Sequence, residues 1–377
     1  MPQGFDLRAA FLLAAAGLAV TPAHAAAPRP AGELLRAIRH LPVAGSVLYV
    51  AAHPDDENTR LIAWLVGQRG LRTTYLSMTR GGGGQNLIGT EQAAHLGVVR
   101  TGELLAARSV DGADQRFTRA RDFGYSKGPD ETLATWDQAA ILRDVVFTVR
   151  AERPDVIITR FEPTGPNHGH HTASAILAAE AFQKAADPAF DPGPLPAWQA
   201  DRLVHNQSHW RITPETDTSG WLSLDVGAFD PLIGRSYSEV AALSRSMHKS
   251  QGFGSAPQIG PQIEYFTPVA GTPIQVGADL FAGLDLTLAR FPGSEPLLKT
   301  LAELARSFDA TAPHASLPLL ARAYTQAGAL PDALWRARKQ AEIARLMVDC
   351  AGPLAHRPRR AARRPARGQP SRSPSPW

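Results

Sequence analysis

Residues 47–57 read VLYVAAHPDDE, and this stretch decides how the rest of the chain can fold. Its first six residues form a short apolar run bounded by glycine and proline, which is typical of a buried central strand. A helical pattern follows, so His53, Asp55 and Asp56 fall at the carboxyl end of that strand, where ligands of open α/β sheets bind. Acidic residues before a helix are also good caps, but capping requires no imidazole three residues before a carboxylate.

A second polar cluster follows another predicted strand. Residues 154–160, PDVIITR, form an apolar run, and the sequence NHGHH at 167–171 follows after a short loop and opens a helix. Isolated histidines are usually structural, but two strand ends that both carry histidines favour a shared functional site. His53 and Asp56 can turn toward one point at a strand end and hold a metal ion, which leaves Asp55 as a base.

The alternation of strands and helices predicts the fold class. Strands separated by helices form a parallel, doubly wound sheet, so we expect a Rossmann-like α/β fold with a mostly parallel sheet. Further strands are predicted at 73–78, 156–159, 203–206 and 221–226, and helices at 57–70, 89–108, 136–150, 172–182 and 237–250. Residues 111–130 are predicted to be a loop over the site.

In combination, these motifs resemble the PIG-L/LmbE family of zinc-dependent N-deacetylases, which act on N-acetylated amino sugars. The resemblance spans residues 46–251. It rests on HPDDE at 53–57, TRGGGG at 79–84, R-x-G-E-L at 100–104, Arg121-Asp122, H-x-x-H at 168–171 and H-x-S-Q at 248–251.

The resemblance implies roles for particular residues. His53, Asp56 and His171 correspond to three ligands of a Zn²⁺ ion, a set that Fe²⁺ also accepts. Asp55 corresponds to the general base and His168 to the second catalytic residue. Arg100 and Asp122 correspond to substrate-binding residues, although Asp122 could equally be a loop-capping carboxylate.

Two positions depart from the family pattern. His170 stands where relatives often have aspartate, and it could either orient a ligand or compete for the metal. Pro166 stands where some sugar deacetylases place a tyrosine near the oxyanion, so such assistance must come from elsewhere.

Two other classes of function remain as alternatives. A non-catalytic carbohydrate-binding relative could keep the metal site, but it would gain nothing obvious from Asp55. A metal-dependent phosphoesterase usually needs two bridged metals, and the sequence has no second acidic cluster. The glycine-rich loop lacks the Gly-Lys-Ser/Thr of a P-loop, so nucleotide binding is disfavoured. His205 and His209 have no carboxylate neighbours in the sequence and are interpreted as structural.

The two ends of the chain differ from its body. An apolar run at 9–20 followed by Ala23-His24-Ala25 predicts a signal peptide at 1–25 and an exported, periplasmic or secreted protein. That run is too short for a stable membrane span, and an uncleaved anchor is the alternative to a cleaved signal peptide. Residues 351–377 contain seven arginines and no acidic residue. The formal charge of +4 therefore becomes 4 minus 7, or −3, without them, and no nucleic-acid partner is expected.

The chain is predicted to contain a deacetylase-like domain at 28–268 and a helical appendage at 273–350. The segment 351–377 is either a disordered basic tail or the product of a shifted reading frame. Cys350 is the only cysteine, so an intrachain disulfide is excluded. The expected substrate is a small molecule or glycoconjugate with an N-acetyl amino sugar.

Overall fold

A computed structural model describes residues 29–164, 168–252, 254–275 and 277–352. The predicted signal peptide, Pro166 and almost all of the arginine-rich tail lie outside these residues. No helix in the described ranges is both long enough and apolar enough to cross a membrane.

The central sheet confirms the predicted mostly parallel α/β fold. Its strand order is β3-β2-β1-β4-β5-β9-β6, in which the first five strands are parallel and β9 pairs antiparallel with both of its neighbours. Two short strands, β7 and β8, form a separate antiparallel pair. The strand bounds are β1 Ser46–Ala51, β2 Arg72–Ser77, β3 Asp114–Phe117, β4 Val156–Thr159, β5 Arg202–Asn206, β6 Leu222–Asp225, β7 Phe229–Asp230, β8 Arg235–Ser236 and β9 Ile263–Gly271.

Helices cover both faces of this sheet, as its buried central strand requires. Along β1, Val47 and Tyr49 pack on one face with α2 and α7, while Leu48 and Val50 pack on the other with α5 and α6. The helix bounds are α1 Ala31–His40, α2 Thr59–Gly67, α3 Ala93–Asp111, α4 Pro129–Trp136, α5 Gln138–Glu152, α6 Gly169–Lys184, α7 Tyr237–Arg245, α8 Glu295–Ser307, α9 Leu317–Ala327 and α10 Ala333–Ala351.

The helical region near the carboxyl end shares a core with α1. Leu34 and Ile38 of α1 belong to the same buried cluster as Leu301 and Leu304 of α8 and Trp335 of α10. The first helix, which the sequence groups with the catalytic domain, thus packs against the predicted appendage. The domain boundaries themselves stay a prediction.

Several element predictions were wrong in detail. Residues 111–130 include strand β3, a short polar edge strand without an apolar run, and the first residues of α4. Strand β9 was not predicted; it contains Pro268, where its register with β5 shifts. Helix α3 begins at Ala93, and α7 ends at Arg245 before a separate 3₁₀ turn at Lys249–Gln251.

Candidate metal centre and cleft

The HPDDE segment forms the turn between β1 and α2. Asn58, rather than one of the acidic residues, caps α2 by accepting a hydrogen bond from the backbone N–H of Leu61. Asp56 Oδ2 instead accepts a hydrogen bond from the backbone N–H of His53 at 2.7 Å and lies 3.0 Å from His53 Nδ1. Capping therefore does not explain the acidic run.

The second histidine cluster reaches the same point because β4 lies directly beside β1. Val50 and Thr159 are paired near the carboxyl ends of these strands, and α6 begins a few residues beyond β4. His171 Nε2 lies 3.5 Å from Asp56 Oδ1, and the His171 ring stacks on Phe161. The two predicted clusters thus form one site.

One cleft of about 450 Å³ contains every residue to which the resemblance gave a catalytic, metal-binding or substrate-binding role. The predicted residues that line it are His53, Asp55, Asp56, Arg100, Asp122, His168 and His171. Tyr125, Gly83 and Gln251 line it as well. A volume of this size is in the usual range for small-molecule sites.

Three of these side chains could hold a divalent metal ion. The nearest ligand atoms of His53, Asp56 and His171 all lie within 4.8 Å of one another, and they offer the nitrogen and oxygen donors that zinc and similar metals bind. His53, His168 and His170 satisfy the same distance criterion. Because both groups use His53, a metal ion in one group would deprive the other of a ligand.

Electrostatics favour a charged Asp56. Burial alone would raise the pKa of Asp56, but His171 and His53 hold it well below its usual range. Burial lowers the pKa of His53, yet Asp56 more than offsets this and raises it overall. Metal binding here would therefore compete with a proton on His53.

The side chain of Asp55 pairs with Arg100 and not with a histidine. Its Oδ1 lies 2.8 Å from Arg100 Nη2, and Arg100 also donates to the backbone carbonyls of Pro54 and Gly81. Burial raises the pKa of Asp55, and Arg100 opposes this. Arg100 is only 3% exposed, so its guanidinium has protein partners, whereas the resemblance implied contact with substrate.

The glycine-rich loop can lie close to Arg100 and Asp122 because its glycines have no side chains. A Cβ atom on Gly83 would lie 2.4 Å from Asp122 Oδ1 and 2.3 Å from the backbone nitrogen of Gly124. Asp122 Oδ1 accepts a hydrogen bond from Gly124 N–H at 2.9 Å, which is the loop-capping arrangement, while the side chain still borders the cleft.

His168 and His170 have distinct surroundings. His168 caps α6 and is partly exposed to the cleft. Burial, followed by the charges of His53 and His171, lowers its pKa. His170 is fully buried, its Nδ1 lies 2.9 Å from His53 Nε2, and burial lowers its pKa to about 3. A neutral His170 can thus accept a hydrogen bond from His53.

Sequence reasoning missed the buried contacts that attach the H-x-S-Q segment. His248 Nε2 lies 2.8 Å from Glu57 Oε1, and burial alone would raise the pKa of Glu57, but His248 and Arg108 lower it to about 2. Ser250 donates its N–H and hydroxyl to Glu103 at 2.7 and 2.6 Å. These motifs were recognised, but spacing alone cannot reveal contacts across about 150 residues or more.

Two other histidines have the carboxylate neighbours that the sequence did not reveal, and their structural role stays a prediction. His205 Nδ1 lies 3.4 Å from Glu162 Oε1, and His209 Nε2 lies 3.1 Å from Glu264 Oε1, so both have carboxylate neighbours. Glu264 belongs to β9, and because that strand was not predicted, its carboxylate could not be placed beside His209.

Comparison with known proteins identifies a family that part of this chain resembles. Residues 48–182 match the family model described as PIG-L, GlcNAc-PI de-N-acetylase. This range contains both histidine clusters and the residues between them. The predicted resemblance to the PIG-L/LmbE family is confirmed for this part of the chain.

Individual relatives cover different shares of the protein. A 1D-myo-inositol 2-acetamido-2-deoxy-alpha-D-glucopyranoside deacetylase from Geodermatophilus obscurus is 35% identical over 45% of this chain, and the match spans 62% of the relative. A deacetylase of the same name, numbered 1, from Catenulispora acidiphila is 29% identical over 64% of this chain and 90% of its own length. The solved N,N'-diacetylchitobiose deacetylase from Pyrococcus horikoshii is 18% identical, with a TM-score of 0.42, over 67% of this chain and 82% of that one.

Proposed function

We propose that this protein is a metal-dependent hydrolase that removes the N-acetyl group from an N-acetylated amino sugar or glycoconjugate. The observation that carries the proposal is the arrangement in one cleft of a candidate metal-binding group, His53, Asp56 and His171, with the separate acid Asp55 and the partly exposed His168. Metal-assisted amide hydrolysis uses these components. The names of the related deacetylases from Geodermatophilus obscurus and Catenulispora acidiphila support the same reaction class.

The site residues would divide the work between them. His53, Asp56 and His171 would hold Zn²⁺, which when bound lowers the pKa of water to about 7 and acts as a Lewis acid. Asp55, oriented by Arg100, would accept a proton from the attacking water. His168 would protonate the leaving amine, and the proton that Asp55 takes from the water replaces the one that His168 gives up.

Assays of released product test the reaction class. Purified protein with measured zinc and iron content is incubated with a panel of N-acetylated and phosphorylated sugars. Release of acetate supports the proposal, whereas phosphate release without acetate would indicate a phosphoesterase. Metal binding without either product would indicate a non-catalytic carbohydrate-binding protein.

The ligand assignment needs its own measurement. His171→Ala should weaken zinc binding at least about 10- to 100-fold, since even the loss of a residue that only supports a ligand has an effect of that size. His314→Ala is the matched control, because His314 lies in a 3₁₀ turn between α8 and α9 and outside the cleft. Wild-type zinc affinity in His171→Ala would contradict the assignment.

We also propose that the protein acts outside the cytoplasm, on amino sugars of the cell envelope or the environment. The supporting feature is the signal-peptide pattern in residues 1–25. Amino-terminal sequencing of protein from the native cell should find a chain that begins near Ala26. An intact Met1 on cytoplasmic protein would contradict export.

A further inference from the structure

A second cleft of about 430 Å³ lies on the other side of the HPDDE turn. It shares Asp55 and Asp56 with the candidate metal cleft, so a bound molecule could extend from one cleft into the other. Its remaining walls come from α2, α7, the residues that follow β4 and β5, and the segment that contains Ser255, Ala256 and Gln258. Nothing in the proposed hydrolysis uses these walls.

Two arginines give this cleft a positive charge without a matching carboxylate. Within the described ranges, neither Arg160 nor Arg245 forms an ion pair with an acidic side chain. Arg160 Nη1 makes only a long hydrogen bond, 3.5 Å, to Asn206 Oδ1, and Arg245 donates to the backbone carbonyl of Asp55. Arg60, by contrast, is paired with the buried Glu264 at 3.4 Å.

The acidic residues along the cleft already have cationic or histidine partners. Asp55 pairs with Arg100, and Glu57 is buried against Arg108 and His248. Asp56 faces His53 and His171. Arg160 can therefore neutralise a charge that a ligand brings, and Arg245, whose charge also acts on Asp55, lines the same cleft.

A buried hydroxyl in the wall of this cleft lacks a partner. Ser238 is 3% exposed and lines the cleft, and its Oγ has no hydrogen-bond partner among the described residues. Buried hydroxyls are normally satisfied, and an anion in the cleft would satisfy this one once the side chain rotates toward it. Ser238, Ala241, Ala242 and Arg245 follow helical spacing along one face of α7, so the hydroxyl and the guanidinium belong to the same wall.

We propose that this cleft binds an anionic group, a phosphate or a carboxylate, on the substrate whose N-acetyl group lies in the adjoining metal cleft. Arg160 and Arg245 bind the charge, and the Ser238 hydroxyl donates a hydrogen bond to the same group. This inference rests on the proposed deacetylase function, and it narrows the substrate to acidic amino-sugar conjugates.

Matched substrates test the charge requirement. The kinetics of acetate release are compared for methyl N-acetylglucosaminide, which is neutral, N-acetylglucosamine 1-phosphate and N-acetylmuramic acid, which carries a carboxylate. For the wild type, we expect a KM at least about tenfold lower for one or both acidic substrates, since hydrogen bonds to charged groups are among the stronger ones. The preferred acidic substrate distinguishes phosphate from carboxylate.

Variants identify the cleft as the source of that preference. Arg160→Gln and Ser238→Ala should raise KM for the acidic substrate, about 10- to 100-fold for the arginine, and so reduce the preference for the acidic over the neutral substrate. Arg306→Gln is the control, because Arg306 is an exposed arginine on α8 away from the cleft. Thermal melting of each variant verifies that it is folded.

The inference is overturned if the ratio of kcat/KM between acidic and neutral substrates is the same in the wild type, Arg160→Gln and Ser238→Ala. If no sugar releases acetate, the proposed function has failed and the cleft is tested by itself. Equilibrium dialysis with inorganic phosphate should then show weaker binding to Arg160→Gln than to the wild type or Arg306→Gln. Phosphate binding that is equal in all three proteins contradicts the anion site.

Discussion

Two adjacent carboxylates, Asp55 and Asp56, have opposite environments. The backbone of Asp55 has a φ of 96°, which residues other than glycine rarely adopt. Its side chain pairs with Arg100. Asp56 faces His53 and His171. Backbone strain of this kind is typical of functional sites. Here it occurs where the side chains of Asp55 and Asp56 turn toward different partners. At the residue scale, the turn therefore separates a candidate base from a candidate ligand.

Asparagine at these two positions should have different effects. Asp55→Asn keeps the shape of the side chain but removes the proton acceptor, so we expect bound zinc with turnover lowered by roughly 10² to 10⁴. Asp56→Asn should lose zinc and activity together. Metal analysis and acetate release on the same samples measure both effects. Zinc loss from Asp55→Asn would require the two roles to be exchanged.

His170 should control how His53 binds metal. A neutral His170 accepts a hydrogen bond from His53 Nε2–H at its Nδ1, so His53 Nδ1, 3.0 Å from Asp56 Oδ2, is the nitrogen that can bind a metal ion once it has lost its proton. His170→Leu removes this acceptor and should weaken zinc binding by about 10- to 100-fold. His170→Asp restores an acceptor and should bind zinc more tightly than the leucine variant. Calorimetric zinc titration compares them, and equal affinities would mean that His170 has no orienting role.

At the scale of elements, the sequence predicted the strands and helices that have a local pattern of apolar residues. The apolar runs of β1 and β4 and the polar residues behind them were sufficient to predict a shared site, because neighbouring parallel strands end at the same sheet edge. Strand β9 could not be found in this way, since it mixes polar and apolar residues and contains Pro268. The contact between Arg100 and Asp55 depends on the path of the glycine-rich loop, which spacing does not specify.

The glycine-rich loop gives an element-scale prediction. Gly83→Ala places a Cβ atom against backbone at Gly124 and against Asp122, so the loop must shift. We expect a lower melting temperature and weaker substrate binding. Gly102→Ala is the control, because Gly102 lies within α3 with open space around it and alanine should stabilise the helix by about 1 kcal/mol. Equal melting temperatures for the two variants would show that the close approach at Gly83 is unimportant.

At the scale of the whole molecule, the helices near the carboxyl end are joined to the sheet by more than their own core. Arg290 pairs with Asp155 at 2.7 Å, Arg153 with Asp332 at 2.8 Å and Arg338 with Glu152 at 3.0 Å. Helix α1 shares the core of α8 to α10 and leads directly into β1. Disruption of this core should therefore destabilise β1, the strand that His53 follows.

Leu304→Ala tests this connection. Leu304 is fully buried between α8 and its neighbours, so its truncation should lower the free energy of unfolding by about 2–5 kcal/mol. Val348→Ala on α10, where the side chain is 69% exposed, should change it by less than about 0.5 kcal/mol. Denaturant unfolding is followed by tryptophan fluorescence and by release of bound zinc. Because α1 connects the shared core to β1, both signals should shift together in Leu304→Ala; a fluorescence transition that shifts while zinc release does not would show that the helical region unfolds independently of the site.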